Sequence, residues 1–85
     1  MNRQRLLLRL TGGAVQNVGF NDMAELVRGF GFRLVRMRGS HRIFAHPDFP
    51  EQLNLQDVHG QAKPYQIRQF LRLVERYNLA IEEEP

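Results

Sequence analysis

A glycine-serine pair set between two alternating segments constrains this chain more than any other feature. Phe32 to Arg38 reads Phe-Arg-Leu-Val-Arg-Met-Arg, and His41 to His46 reads His-Arg-Ile-Phe-Ala-His. Each is the length of a strand, and Gly39-Ser40 is the length of the tightest hairpin loop, so the two segments are expected to pair antiparallel. Pro47 ends the second strand because it lacks the N–H a ladder needs. Alternation sets His41, Ile43 and Ala45 on one face of that strand and Arg42, Phe44 and His46 on the other. Gln52 to Gln56 alternates strictly as well and predicts a third strand.

Helical spacing flanks the strands. In residues 3–10, Leu6, Leu7 and Leu10 share one face, and Thr11-Gly12-Gly13 ends the segment. Residues 14–19 read as a mobile connection. A second helix is expected to start at Phe20-Asn21-Asp22, with Asn21 as cap and Phe20 as a staple residue. Phe20, Ala24 and Val27, and likewise Met23, Leu26 and Phe30, recur at helical intervals until Gly29 and Gly31 stop them. Asp48-Phe49-Pro50 reads as a loop, as does Asp57 to Lys63 with His59 and Gly60 inside it. Pro64 opens the strongest helix, whose stripe is Ile67, Phe70, Leu71 and Val74, and Asn78 is its expected cap. The tail from Glu82 to Pro85 is expected to fray.

These elements predict an α+β fold. A short N-terminal extension (residues 1–19) precedes an α-β-β-β-α domain (20–78) and an acidic tail (79–85). Its sheet has three antiparallel strands with two helices on one face, which leaves the other face free to touch a partner.

Composition narrows the function. With 85 residues there is room for one domain, and with no cysteine there are no disulfides, thiolate metal sites or thiol nucleophiles. No apolar run exceeds Leu6-Leu7-Leu8 in length, far short of the ~20 residues of a membrane span. The N-terminus lacks the apolar stretch of a secretory signal, so a cytoplasmic location is expected. Residues 1–47 hold eight arginines against two acids, while residues 48–85 hold four basic residues against seven acids. A basic half dominated by arginine suits a polyanion, above all nucleic acid; an Arg-rich solvated surface is the plainer explanation.

The candidate chemistry gathers at His41. It follows the turn directly, and Arg33, Arg36, Arg38 and Arg42 lie within nine residues of it. Metal-free RNA cleavage needs a group that takes the proton of a ribose 2′-OH and cations that stabilise the phosphate as it gains charge. Imidazole titrates near ambient pH and suits the first task; guanidinium suits the second. On the residues alone, a surface histidine beside solvated arginines fits equally. The spacing of His41, His46 and His59 matches no zinc signature, so no metal or other cofactor is expected. His46 reads as a strand-end residue, and His59 as either a loop residue or a second acid–base group. Arg68, Arg72 and Arg76 form one helical row, either solvated or in contact with phosphate. Tyr65 and Phe49 are the aromatic residues that could stack on a base, the others falling on apolar faces.

The run Gly39-Ser40-His41-Arg42-Ile43-Phe44-Ala45-His46-Pro47, preceded by Phe30-Gly31-Phe32, resembles the HicA toxin family. Asn54 to Val58 and Ala62 to Leu71 resemble its longer subgroup, so the likeness covers about residues 18–78. It implies a double-stranded-RNA-binding-like fold and a ribosome-independent mRNA interferase of a type II toxin–antitoxin pair. His41 takes the place of the family's catalytic histidine, and a HicB-like antitoxin is the implied protein partner, with RNA as substrate and no membrane. Read this way, Arg36, Arg38, Ser40, Arg42, Lys63, Arg68 and Arg72 are the RNA-binding candidates. The chain departs from the family in having Arg42 where a second histidine often follows the first, and Leu53-Asn54-Leu55-Gln56 where short members carry a Val-Pro-Val-His-like stretch. A non-catalytic RNA-binding module of the same fold is the alternative, and a subunit that docks another protein on its sheet is a further one.

Overall fold

The two alternating segments pair as expected, and the apolar stripes of the helices close over one side of them. In the computed structural model, which describes residues 2–82, the order is α1 (Arg3–Thr11), α2 (Phe20–Gly29), β1 (Arg33–Arg38), β2 (His41–His46), β3 (Phe49–Val58), β4 (Gln61–Ala62) and α3 (Pro64–Arg76). The strands form one antiparallel sheet in the order β1-β2-β3-β4. Gly39 takes φ 58° and links Arg38 to its partner His41 through a two-residue turn.

Among the described residues the sheet has four strands rather than three. The added strand, β4, is too short to carry a readable alternation. Its hairpin turn is His59-Gly60, with φ of 52° and 83°, the double positive φ of a type I′ turn. Asp57 Oδ1 accepts the Gly60 N–H at 2.8 Å and steadies it. β3 also begins earlier than expected, because only Pro47-Asp48 separates the partners His46 and Phe49. Pro50 is tolerated there because the β2–β3 register shifts between Phe44 and His46.

Two expectations at the start of the domain are corrected. Residues 14–19 are tied down: Val15 and Val18 are buried, Val18 O accepts the Ala62 N–H at 2.9 Å, and Gly19 bridges to Gln61. Phe20 is itself the first residue of α2, with Gly19 at the cap position and no capping side chain, so Asn21 does not cap. Burial of Phe20 and its N–H bond to Gly60 O at 2.8 Å fix this entry in place of a cap. A side-chain cap appears instead on α1, where Asn2 Oδ1 accepts the Arg5 N–H at 3.0 Å.

All three helices contribute to one core. Leu6 and Leu10 of α1, Met23, Leu26 and Val27 of α2, and Ile67 and Phe70 of α3 pack with Phe44, Leu53 and Leu55 of the sheet. Among the described residues, the opposite face of the sheet carries no helix. Leu79 and Ile81 beyond α3 pack against the core, and the Glu82 N–H bonds Gly29 O at 2.6 Å; Glu83 to Pro85 of the expected frayed tail lie outside the described residues. Among the described residues no helix is long and apolar enough to cross a membrane.

The end of α3 is pinned by a charged contact. Glu51 accepts from the Tyr77 hydroxyl and from Arg76 at 3.0 Å, while the Tyr77 ring stacks on Phe49 at 4.0 Å. The Tyr77 hydrogen bond, with help from Arg76, holds the Glu51 carboxyl below its ordinary value of 4.5. A depressed carboxyl contributes stability that is complete above its unfolded pKa and is lost as pH falls through the folded one. Glu51→Gln is therefore expected to flatten the acid limb of a stability-versus-pH curve below about pH 4.5. An unchanged acid limb in urea titrations would show that the contact adds nothing.

Candidate functional site

The register of the hairpin decides which arginines share a face with His41. Arg33 pairs with Ala45, Arg36 with Ile43 and Arg38 with His41, while Leu34 pairs with Phe44 and Met37 with Arg42. Strict alternation along β1 would separate Arg33 from Arg36 and Arg38. The register shift between Leu34 and Arg36 inserts Val35 as an extra residue and removes that separation. Arg33, Arg36 and Arg38 thus stand with His41 on the uncovered side. Every residue of β1 is exposed, so all three guanidiniums are within reach of a ligand.

His41 is held by a neighbour that the sequence reading did not single out. Its direct partner on β3 is Gln56; Asn54 is the diagonal neighbour on the same face. Asn54 Oδ1 lies 3.1 Å from His41 Nδ1. An amide oxygen only accepts, so Nδ1 carries the hydrogen and donates it, which leaves the lone pair of the neutral ring on Nε2. The contact fixes one nitrogen of a half-buried imidazole on the uncovered face.

Arg42 stands apart from this face. It pairs with Met37 and Leu55 on the helix side, and its guanidinium folds back on the turn to donate to Gly39 O at 2.7 Å. Ser40 contributes its carbonyl to the sheet, accepting the Asp57 N–H at 3.0 Å. That bond brings the Gly39-Ser40 turn beside the His59-Gly60 turn, so His59 sits at the same end of the sheet as His41.

Arg38, His41 and Gln56 form a row perpendicular to the strands. β4 ends at Ala62, the partner of Asp57, and Lys63 follows it as the cap residue of α3, its carbonyl accepting the Gln66 and Ile67 N–H groups at 3.1 Å each. Arg68 and Arg72 are exposed on α3, in the layer behind the sheet, and Arg76 is bound to Glu51. The structure does not bring the α3 row to His41.

His46 is structural. Its Nδ1 accepts the Asp48 N–H at 3.1 Å and its Nε2 lies 3.0 Å from Phe30 O, a pair of contacts that suits a neutral ring with the hydrogen on Nε2. The ring stacks on Phe49 at 4.6 Å, and a Cβ on Gly31 (φ 95°) would come within 3.0 Å of its Nε2. Phe49 is buried in this stack and offers no face to a base. A cleft of about 540 Å³ lies at this end of the sheet, between the end of α2 and residues 77–82, away from His41. Among the described residues, no group of three or more His, Cys, Asp or Glu comes together as a metal site.

A family model described as the HicA toxin of bacterial toxin–antitoxin systems matches residues 20–75, which is more than half of the chain and includes every open-face residue named above. No curated protein and no solved structure matches.

Proposed function

The chain belongs to the HicA toxin family, and from that premise we propose that it is an mRNA interferase that cuts RNA on the open face of its sheet. The observation that carries the reading is the His41–Asn54 pair, set on the same face as Arg33, Arg36 and Arg38. His41 Nε2 takes the proton of a ribose 2′-OH. The freed 2′-oxygen attacks the adjacent phosphorus, the bond to the 5′-oxygen breaks, and that oxygen takes a proton from water. The products are a 2′,3′-cyclic phosphate and a 5′-hydroxyl end. Arg38, the direct neighbour of His41, and Arg36 beside it stabilise the phosphate as charge builds on it. In this reading the imidazole and the guanidiniums supply the chemistry, with no metal ion and no ribosome.

The arginine after His41 leaves this machinery intact. Position 42 faces the helix side of the sheet, so a histidine there would not stand with His41. Arg42 instead clamps the turn from which His41 springs. Arg68 and Arg72 reach only RNA that passes around the edge of the sheet.

A cell that makes such an enzyme must also silence it. A HicB-like antitoxin with an acidic surface over the open face would match its charge and cover His41. The work of both belongs in the cytoplasm, where messenger RNA is.

The test is purified protein with a single RNA and excess chelator, in the absence of ribosomes. Fragments ending in 2′,3′-cyclic phosphate are expected at an undiminished rate. Intact RNA of retarded mobility would instead support the non-catalytic binding module.

A further inference from the structure

Tyr65 is a large aromatic ring left 54% exposed in the first turn of α3. It is held in place. The Gln66 side chain is 1% exposed and spans two contacts: its Oε1 accepts the Gln56 N–H at 2.7 Å, and its Nε2 donates to the Tyr65 hydroxyl at 3.2 Å. A buried amide thus ties the ring to the backbone of the residue that pairs with His41. The Lys63 ammonium lies 5.7 Å from the ring centroid. β4, which Lys63 directly follows, lies two strand spacings from β2, roughly 10 Å at about 4.8 Å per spacing.

An exposed ring pinned at its hydroxyl, with a cation over one face and the other face left for stacking, matches what an unpaired nucleobase and its phosphate require. Base–aromatic stacking needs an open π-face and tolerates any base, while the ammonium meets the backbone. A duplex hides its base faces and cannot use such a ring. We infer that Tyr65 and Lys63 form a nucleotide subsite that stacks one unpaired base next to the scissile phosphate at His41, making single-stranded RNA the substrate. The inference deepens the nuclease reading and rests on it for the meaning of the neighbouring phosphate. The stack itself is measurable without cleavage.

The experiment uses the whole chain and a 2′-O-methyl oligonucleotide, which cannot be cut, followed by fluorescence anisotropy of a labelled strand. Tyr65→Ala and Tyr65→Leu are each expected to weaken binding roughly 5- to 150-fold, the equivalent of ~1–3 kcal/mol per stacked base. Tyr65→Phe keeps the ring and is expected to stay close to wild type. The chain has two tyrosines and no tryptophan, so its intrinsic emission reports on them. Tyrosine emission is expected to fall when the strand is added, and that fall is expected to vanish in Tyr65→Phe while affinity persists. A duplex of the same sequence is expected to bind more weakly than the single strand. Equal affinity for wild type and Tyr65→Ala, or a preference for duplex, overturns the subsite. Tyr65-dependent binding of the single strand, with no cutting of its unmodified counterpart, upholds the subsite and rejects the nuclease reading.

Discussion

His41→Ala is expected to lower RNA cleavage by about 10²–10⁴-fold, the usual worth of a positioned acid–base group. Its side chain bonds Asn54 from a half-buried position on the uncovered face, so the variant is expected to melt close to wild type. Asn54→Ala removes only the bond that fixes the tautomer. Its expected loss is smaller, roughly 10–100-fold, the scale seen where a hydrogen bond orients a functional imidazole. Cleavage products resolved on a gel over time measure both, and growth of cells on induction gives a second readout. An unchanged rate in His41→Ala would remove the histidine from the mechanism. An unchanged rate in Asn54→Ala alone would keep His41 and dismiss its partner.

The second large effect lies three residues along the same strand and acts in the opposite way. Phe44 is 1% exposed, pairs with Leu34 and Leu53, and carries the Arg28 guanidinium over its ring at 5.6 Å. Phe44→Ala removes that ring from the buried core, at an expected cost of about 3–5 kcal/mol. Domains of this kind are stable by only ~5–15 kcal/mol, so much of the margin goes. The melting temperature is expected to fall by about 12 °C or more, read by circular dichroism. Activity per folded molecule is expected to survive at low temperature, since Phe44 lies on the side of the sheet away from His41. A melting temperature within a few degrees of wild type would mean that the core closes over the gap.

These two residues mark how far the sequence could be read. Strict alternation along His41–His46 separates His41 from Phe44 without any coordinates, and the stripes of α2 and α3 announce the helices that cover the Phe44 side. The Gly39-Ser40 pair announces the hairpin. The limits have physical causes. A bulge has no local signal, so alternation along β1 alone puts Arg33 on the wrong face. A two-residue strand such as β4 has no period to detect. Asn54 looks like any polar residue of a half-buried strand, and becomes a partner of His41 only when the register makes the two diagonal neighbours. Arg42 follows His41 directly in sequence, yet a strand turns consecutive side chains to opposite faces, and Arg42 stands on the Phe44 side. Phe20 enters the core and displaces the helix cap by two residues, from Asn21 to Gly19, where burial outweighs capping preference.

The irregularity at Val35 also bears on how this chain is compared with others. A shorter form lacking that one residue would read Arg-Leu-Arg-Met-Arg, alternate without interruption, and still send its three arginines to the same side. A length difference at this point is therefore silent for chemistry. When homologous genes are lined up, the gap belongs at codon 35, and forcing it elsewhere in the strand would set core positions against contact positions.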